Sequence, residues 1–258
     1  MVKVTDPLGG VRRFEYDPMG NLVTQVDENG VVTTYEYDAL NRLITQNDAK
    51  GNKTHYEYNH LGLLMKRTDA LGNVTAYDYD ALGRMIKETD PIGAIRSFEY
   101  DLNGNLIKEI DQLGYEKTYH YDALNRLVAE VNALGQTTTY EYDPKGNLLQ
   151  VINAKGDSYS YEYDALDRLI KEVNYQGGTQ SYAYDPNGNL IRKTDFSQKQ
   201  TTYKYDQLNR LLETVFADGS KKFYTYDAVG NMRTAINETV TEKFYYDDLS
   251  RLVKAETI

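Results

Sequence analysis

Residues 33–48, TTYEYDALNRLITQND, contain two short strands and the turn that joins them. Tyr35 and Tyr37 are two apart, so on an extended strand they share one face while Glu36 points to the other. At Asp38 the strand meets a turn, because an aspartate there can accept hydrogen bonds from backbone N–H groups two residues on. The segment RLITQND, residues 42–48, then reads as the partner strand, too short between its turn signals for a helix and carrying β-branched residues. The connection on the other side of the hairpin has the form of DENG, residues 27–30, where Gly30 supplies the positive φ that a short hairpin loop needs.

Moving outward, the same unit recurs along the whole chain, which is the mark of a repeat architecture. Tyr followed by Asp or Asn occurs at Tyr16, Tyr37, Tyr58, Tyr79 and so on to Tyr226 and Tyr246, in steps of 21 residues with a last step of 20. A second aromatic lies two positions before each, and these two columns hold 21 of the 25 tyrosines. Turns containing Gly-Asn (YDPMGNL, YDLNGNL, YDPKGNL) alternate with turns ending in Arg (YDALNRL, YDALGRM, YDALDRL), so the true period is 42 residues. YNHLGLL at Tyr58 to Leu64 breaks the alternation and reads as a decayed unit or, alternatively, a contact surface. Residues 1–258 are thus expected to form a single array with no separate domain.

Composition narrows the function. The formal net charge is -10, and no Lys/Arg block exists to follow a phosphate backbone, so nucleic acid is not an expected partner. With no Cys there is no disulfide framework, thiolate metal site or Cys nucleophile. No apolar run approaches the length of a membrane-spanning helix, so membrane insertion is not expected, and the first residues lack the apolar stretch of a signal peptide.

An isolated hairpin is marginal in water, so the units must pair laterally, each contacting its neighbours. The fold class is therefore all-β: about twelve 21-residue β-hairpins forming one curved or spiralling antiparallel sheet. About 24 strands at about 4.8 Å each span roughly 115 Å, and if closed into a ring they would give a diameter of about 37 Å. A spiral or open half-shell fits the spacing equally well. Neither face is cleanly apolar, so both carry partial cover. Self-association through open edge strands is a second expectation.

The motifs YDALNRL, YDALGRM and YDPNGNL, preceded by YEYD or YDYD and linked by DALGN-type turns, resemble the YD repeats of RHS proteins over essentially the whole chain. That family includes bacterial polymorphic toxins, wall-associated proteins, insecticidal toxin-complex components and teneurins. The resemblance implies a β-sheet wrapped into a hollow shell, and a bacterial protein that is secreted or displayed at the cell surface. Toxin-releasing members carry, after the repeats, a core with an autoproteolytic aspartate site and a variable toxin domain. This sequence shows neither, so no protease residues are carried over, and the chain reads as one wall segment or a short member.

Candidate chemistry is sparse. His55, His60 and His120 fall at three different places in the repeat, as surface or strand-filling residues do, and no metal site is assigned. The anchor aspartates could in principle pair for acid–base work, but turn capping explains a residue that is itself the pattern. No catalytic residue and no cofactor is assigned, and the chain is not expected to be an enzyme. Tyr115, Tyr159, Tyr175 and Tyr245 lie outside the two columns, which makes them the candidate ligand-facing aromatics, able to stack on sugar rings. The first functional reading is a non-enzymatic β-shell scaffold that encapsulates or displays a toxin or other polypeptide, with that cargo or adjoining repeats as partners. The second is a cell-surface binding module for glycans or a protein partner.

Overall fold

The computed structural model describes residues 2–5 and 10–258. They form 25 antiparallel strands of one open sheet, with no helix. After β1 (Val2–Thr5) the chain alternates six-residue strands such as β2 (Val11–Tyr16) and β4 (Val32–Tyr37) with five-residue strands such as β3 (Leu22–Val26), ending in β24 (Thr241–Tyr246) and β25 (Leu252–Thr257). Ring closure is not formed: β1 pairs with β2, and β25 with β24.

Two compact units are distinguished, residues 1–125 with 130–135, and residues 126–129 with 136–258. Within each, the strands form a meander in which every strand pairs antiparallel with its sequence neighbours, as β2 does with β3 and β3 with β4. All the turns that follow a Tyr-Asp pair therefore lie on one edge of a unit. Those of the Asp-x-x-Gly form lie on the opposite edge.

Both turn types close in the same way. At Asp17 the backbone N–H donates to Asn21 O at 2.9 Å and Gly20 N–H donates back to Asp17 O at 3.0 Å; Asp27 repeats this with Val31 and Gly30. This is a type I turn followed by a left-handed residue, one of the common ways to join two strands. Each Tyr-Asp turn also carries a bulge, as between Glu36 and Tyr37, which re-aims the anchor tyrosine. The 20-residue last step has a local cause: the turn before β24 has no glycine, and Asn237 N–H donates to Val240 O, one residue sooner than its equivalents.

The sheet is a single layer, so little is fully enclosed. Phe98 and Ala235 are the buried apolar residues among those described, and the Tyr and Leu columns are half-buried. In register, Tyr37 faces Leu43 and Tyr35 faces Gln46, so the tyrosine columns are separated by an intervening strand and do not stack directly on one another. On the opposite face, the residue between the two aromatics sits across from a counter-charge in some units, as Glu57 faces Lys66 and Glu162 faces Lys171, and across from a neutral residue in others, as Glu36 faces Thr45. Such exposed pairs contribute little individually. Stability must come from the lateral ladder of neighbour contacts, the regime of a quasi-one-dimensional array.

Candidate functional site

Along the Tyr-Asp edge the side chains make a continuous polar ladder. Each anchor carboxylate caps its own turn: Asp38 Oδ1 accepts from Leu40 N–H at 2.9 Å and Arg42 N–H at 3.0 Å, while Oδ2 accepts from Arg42 Nε at 2.7 Å. In Gly-Asn turns an asparagine replaces the arginine, as Asn21 Nδ2 donates to Asp17 Oδ2 at 2.9 Å. These bonds hold the carboxyls below their usual range, chiefly through the Arg42 side chain at Asp38 and the Asn21 side chain at Asp17.

At most anchor positions the tyrosine ties its hairpin to the one before it. Tyr58 Oη donates to Leu43 O at 2.8 Å, and the same bond recurs from Tyr37 to Leu22, Tyr79 to Leu64, Tyr184 to Leu169 and Tyr226 to Leu211. This explains why the second aromatic column is always Tyr, whereas the first admits Phe14, Phe98 and Phe244.

The 42-residue period has its physical basis here. The arginine of each Arg-type turn reaches forward: Arg84 Nη1 donates to Asp101 O at 3.1 Å and its guanidinium lies 4.7 Å from the Tyr100 ring centre. Arg126, Arg168 and Arg210 do the same to the following Gly-Asn turns, and Arg42 to the turn that begins at Asn59. Each Gly-Asn turn in turn reaches forward with its asparagine, to the left-handed residue of the next Arg-type turn. Asn105 Nδ2 bonds Asn125 Oδ1 at 2.8 Å, and Asn147 bonds Asp167 at 3.0 Å. Asn125 and Asp167 hold φ values of 60° and 61°, a conformation that polar side chains of this kind tolerate. Two unlike forward contacts alternate. The arginine uses a backbone oxygen and a tyrosine ring that every turn offers, whereas the asparagine needs the polar left-handed residue that Arg-type turns such as those at Asn125 and Asp167 carry and Gly-Asn turns, with Gly104 or Gly146 there, do not.

The irregular unit at Tyr58 is not decayed. Asn59 Oδ1 caps Leu61 and Leu63 N–H at 2.9 and 3.0 Å, and Arg42 still reaches Asn59 O. What changes is its forward contact: Leu63 replaces the asparagine and Gly83 replaces the left-handed polar residue. A Cβ at Gly83, whose φ is +79°, would lie 3.3 Å from Leu63 Cδ1. Both halves of one polar contact have thus been exchanged together for an apolar side chain over a bare glycine.

The four off-column tyrosines separate. Tyr159 and Tyr175 come together, with ring centres 5.9 Å apart and planes tilted by 57°, and Gln176 Nε2 donates to Tyr175 Oη at 3.2 Å. Tyr115 stands apart on a turn, 57% exposed. Tyr245 Oη donates to Glu256 Oε2 at 2.9 Å, and that carboxylate raises the phenol's pKa. The strongest shift lies in the column: burial first, then the Glu172 carboxylate at 2.7 Å, pushes Tyr182 up to about 12. Among the histidines, His55 Nδ1 lies 3.4 Å from Thr45 Oγ1. Among the described residues no three His, Asp or Glu side chains are grouped to hold a metal, and no helix is long and apolar enough to cross a membrane.

The forward ladder is what the sequence reading missed. Its signal was present in the alternation of Gly-Asn with Arg and in the joint departure at residues 63 and 83.

The RHS Repeat family model matches in overlapping copies from residues 1–30 to residues 184–221, with 96–99 outside them. No curated protein matches the sequence significantly. Among solved structures, the chain is similar to the TcdB2-TccC3-Cdc42 crystal structure, at 15% identity and a TM-score of 0.41, over 97% of this chain and 20% of that one. The TcdB2-TccC3 crystal structure gives 16% identity and a TM-score of 0.42 over 97% and 20%. A Photorhabdus luminescens Tc holotoxin pore gives 16% and 0.39 over 95% and 21%. The chain spans about a fifth of the length of these structures.

Proposed function

The chain belongs to the RHS repeat family, and from that premise we propose that it is a non-enzymatic stretch of β-shell wall from an exported bacterial protein, serving to enclose another polypeptide. The observation that carries this reading is the uninterrupted turn ladder. Its polar groups are spent on holding each hairpin to the next, and its one departure, Leu63 with Gly83, is itself a matched structural contact. Anchor aspartates such as Asp38 accept two backbone bonds and a guanidinium bond within their own turns, which commits them to capping rather than to acid–base work. In this reading the wall's partners are adjoining repeats and the enclosed chain.

Fusing an unfolded polypeptide to the C-terminus and following its digestion by protease tests enclosure. At least tenfold slower digestion than for the same tail on an unrelated domain is expected. Equal rates overturn the enclosing role.

A second reading rests on the Tyr159–Tyr175 pair, whose tilted rings with the Gln176 amide beside them suit a sugar face. Glycan-array binding that disappears in Tyr159→Ala and Tyr175→Ala would put this reading first.

A further inference from the structure

On the Asp-x-x-Gly edge, four consecutive turns end in a bare aliphatic side chain: Leu71, Ile92, Leu113 and Leu134 are 80–90% exposed. The residue before each is also uncharged, Ala70, Pro91, Gln112 and Ala133. On either side along the chain the equivalent position is Lys50 or Lys155, both exposed. The block is therefore a bounded patch. Its tips are two strands apart, about 9.6 Å, so it runs for about 29 Å.

The opposite edge of the same unit carries a second exposed row, Met19, Leu40, Leu61 and Leu82, at the same position of four consecutive Tyr-Asp turns; in the next turn that position is Asn103, with Leu102 one residue earlier. We propose that the four-tip block docks a second copy of this chain through that copy's Tyr-Asp edge, tip row against tip row.

Two features select this occupant. A row repeating every two strands matches a partner with the same repeat, and the Tyr-Asp row supplies four consecutive positions, Met19, Leu40, Leu61 and Leu82, for the four tips of the block. The area is adequate for a weak contact: at roughly 100 Å² per tip, four tips and Tyr115 bury about 500 Å² per copy and about 1,000 Å² in total, the low end for a specific interface. Joining one edge to the opposite edge is heterologous, so it propagates rather than closing at a dimer.

The test uses two triple variants of the full chain, Leu71→Lys/Ile92→Lys/Leu113→Lys and Leu40→Lys/Leu61→Lys/Leu82→Lys. Lysine already occupies the equivalent turn position at Lys50 and Lys145, and circular dichroism confirms that each variant is folded. In sedimentation velocity the unaltered chain should show a weight-average mass that rises with concentration beyond a dimer, and each variant alone should stay monomeric. Mixed, the variants should form a 1:1 dimer that grows no further, since each keeps the edge the other lacks. A monomeric unaltered chain overturns the proposal. So does a Tyr-Asp-edge variant that still self-associates, which would mean that the block meets itself, or a mixture that remains monomeric.

Discussion

Leu63 and Gly83 occupy the two ends of one contact that elsewhere joins Asn105 to Asn125 or Asn189 to Asn209, so restoring asparagine at both positions should reveal a coupling that neither change shows alone. Leu63→Asn removes a half-buried aliphatic side chain and costs about 1 kcal/mol. Gly83→Asn places an L-residue at φ +79° with its Cβ 3.3 Å from Leu63 Cδ1, for a cost of about 1 kcal/mol. Together the substitutions remove the crowding and rebuild an amide–amide bond with a net contribution of about 0.5–1.5 kcal/mol. The double variant should therefore be about 1 kcal/mol more stable than the sum of the singles implies. Hydrogen exchange of the segment 58–85 is the suitable assay, because long arrays open locally and need not unfold in two states. Additivity within about 0.3 kcal/mol in the four-protein cycle would refute the view that these positions form one contact.

Tyr205→Phe removes the hydroxyl bond to Leu190 O, 3.0 Å, and should cost about 1 kcal/mol in urea unfolding; Tyr203→Phe, in the column that already accepts Phe98, should cost distinctly less. Arg168→Ala loses the bond to Asp185 O and the stacking on Tyr184, about 1–2 kcal/mol together, and Arg168→Lys should not restore it because an ammonium lacks the planar fork. Local hydrogen exchange at residues 184–190 distinguishes these outcomes. Acid should loosen the whole Tyr-Asp edge. The anchor carboxyls, Asp38, Asp164 and Asp206 among them, have pKa values lowered in the fold, so their contribution is fully present above the unfolded carboxyl pKa near 4 and is lost as pH falls through the lower folded values. A urea midpoint that is flat from pH 7 to 5 and declines below pH 4 is expected, and a midpoint that rises on acidification contradicts the capping role.

The strands were legible from one hairpin because a two-residue aromatic spacing and a five-residue turn admit few structures. The capping by Asp38 was equally legible, since its partners are two and four residues away. The reach of Arg84 to Asp101 was not, because it spans 17 residues and depends on the lateral placement of two hairpins. Closure was undetermined for a related reason: spacing fixes how many strands there are, but the small angle between successive hairpins decides whether the ends meet. Of the four tyrosines singled out, only Tyr159 and Tyr175 were neighbours, and their meeting depends on a strand and a following turn lying side by side.

The alternation of forward contacts also imposes a parity rule on how such a chain can lengthen or shorten. Copying or deleting one hairpin sets two turns of the same kind beside each other, so that an asparagine meets a glycine and loses its partner, or the polar left-handed residue of an Arg-type turn loses its asparagine donor. Copying a pair leaves every joint matched. The smallest unit that can be added or lost without a faulty seam is thus the 42-residue cassette, and Leu63 with Gly83 shows that a seam can be re-keyed only by changing both of its sides.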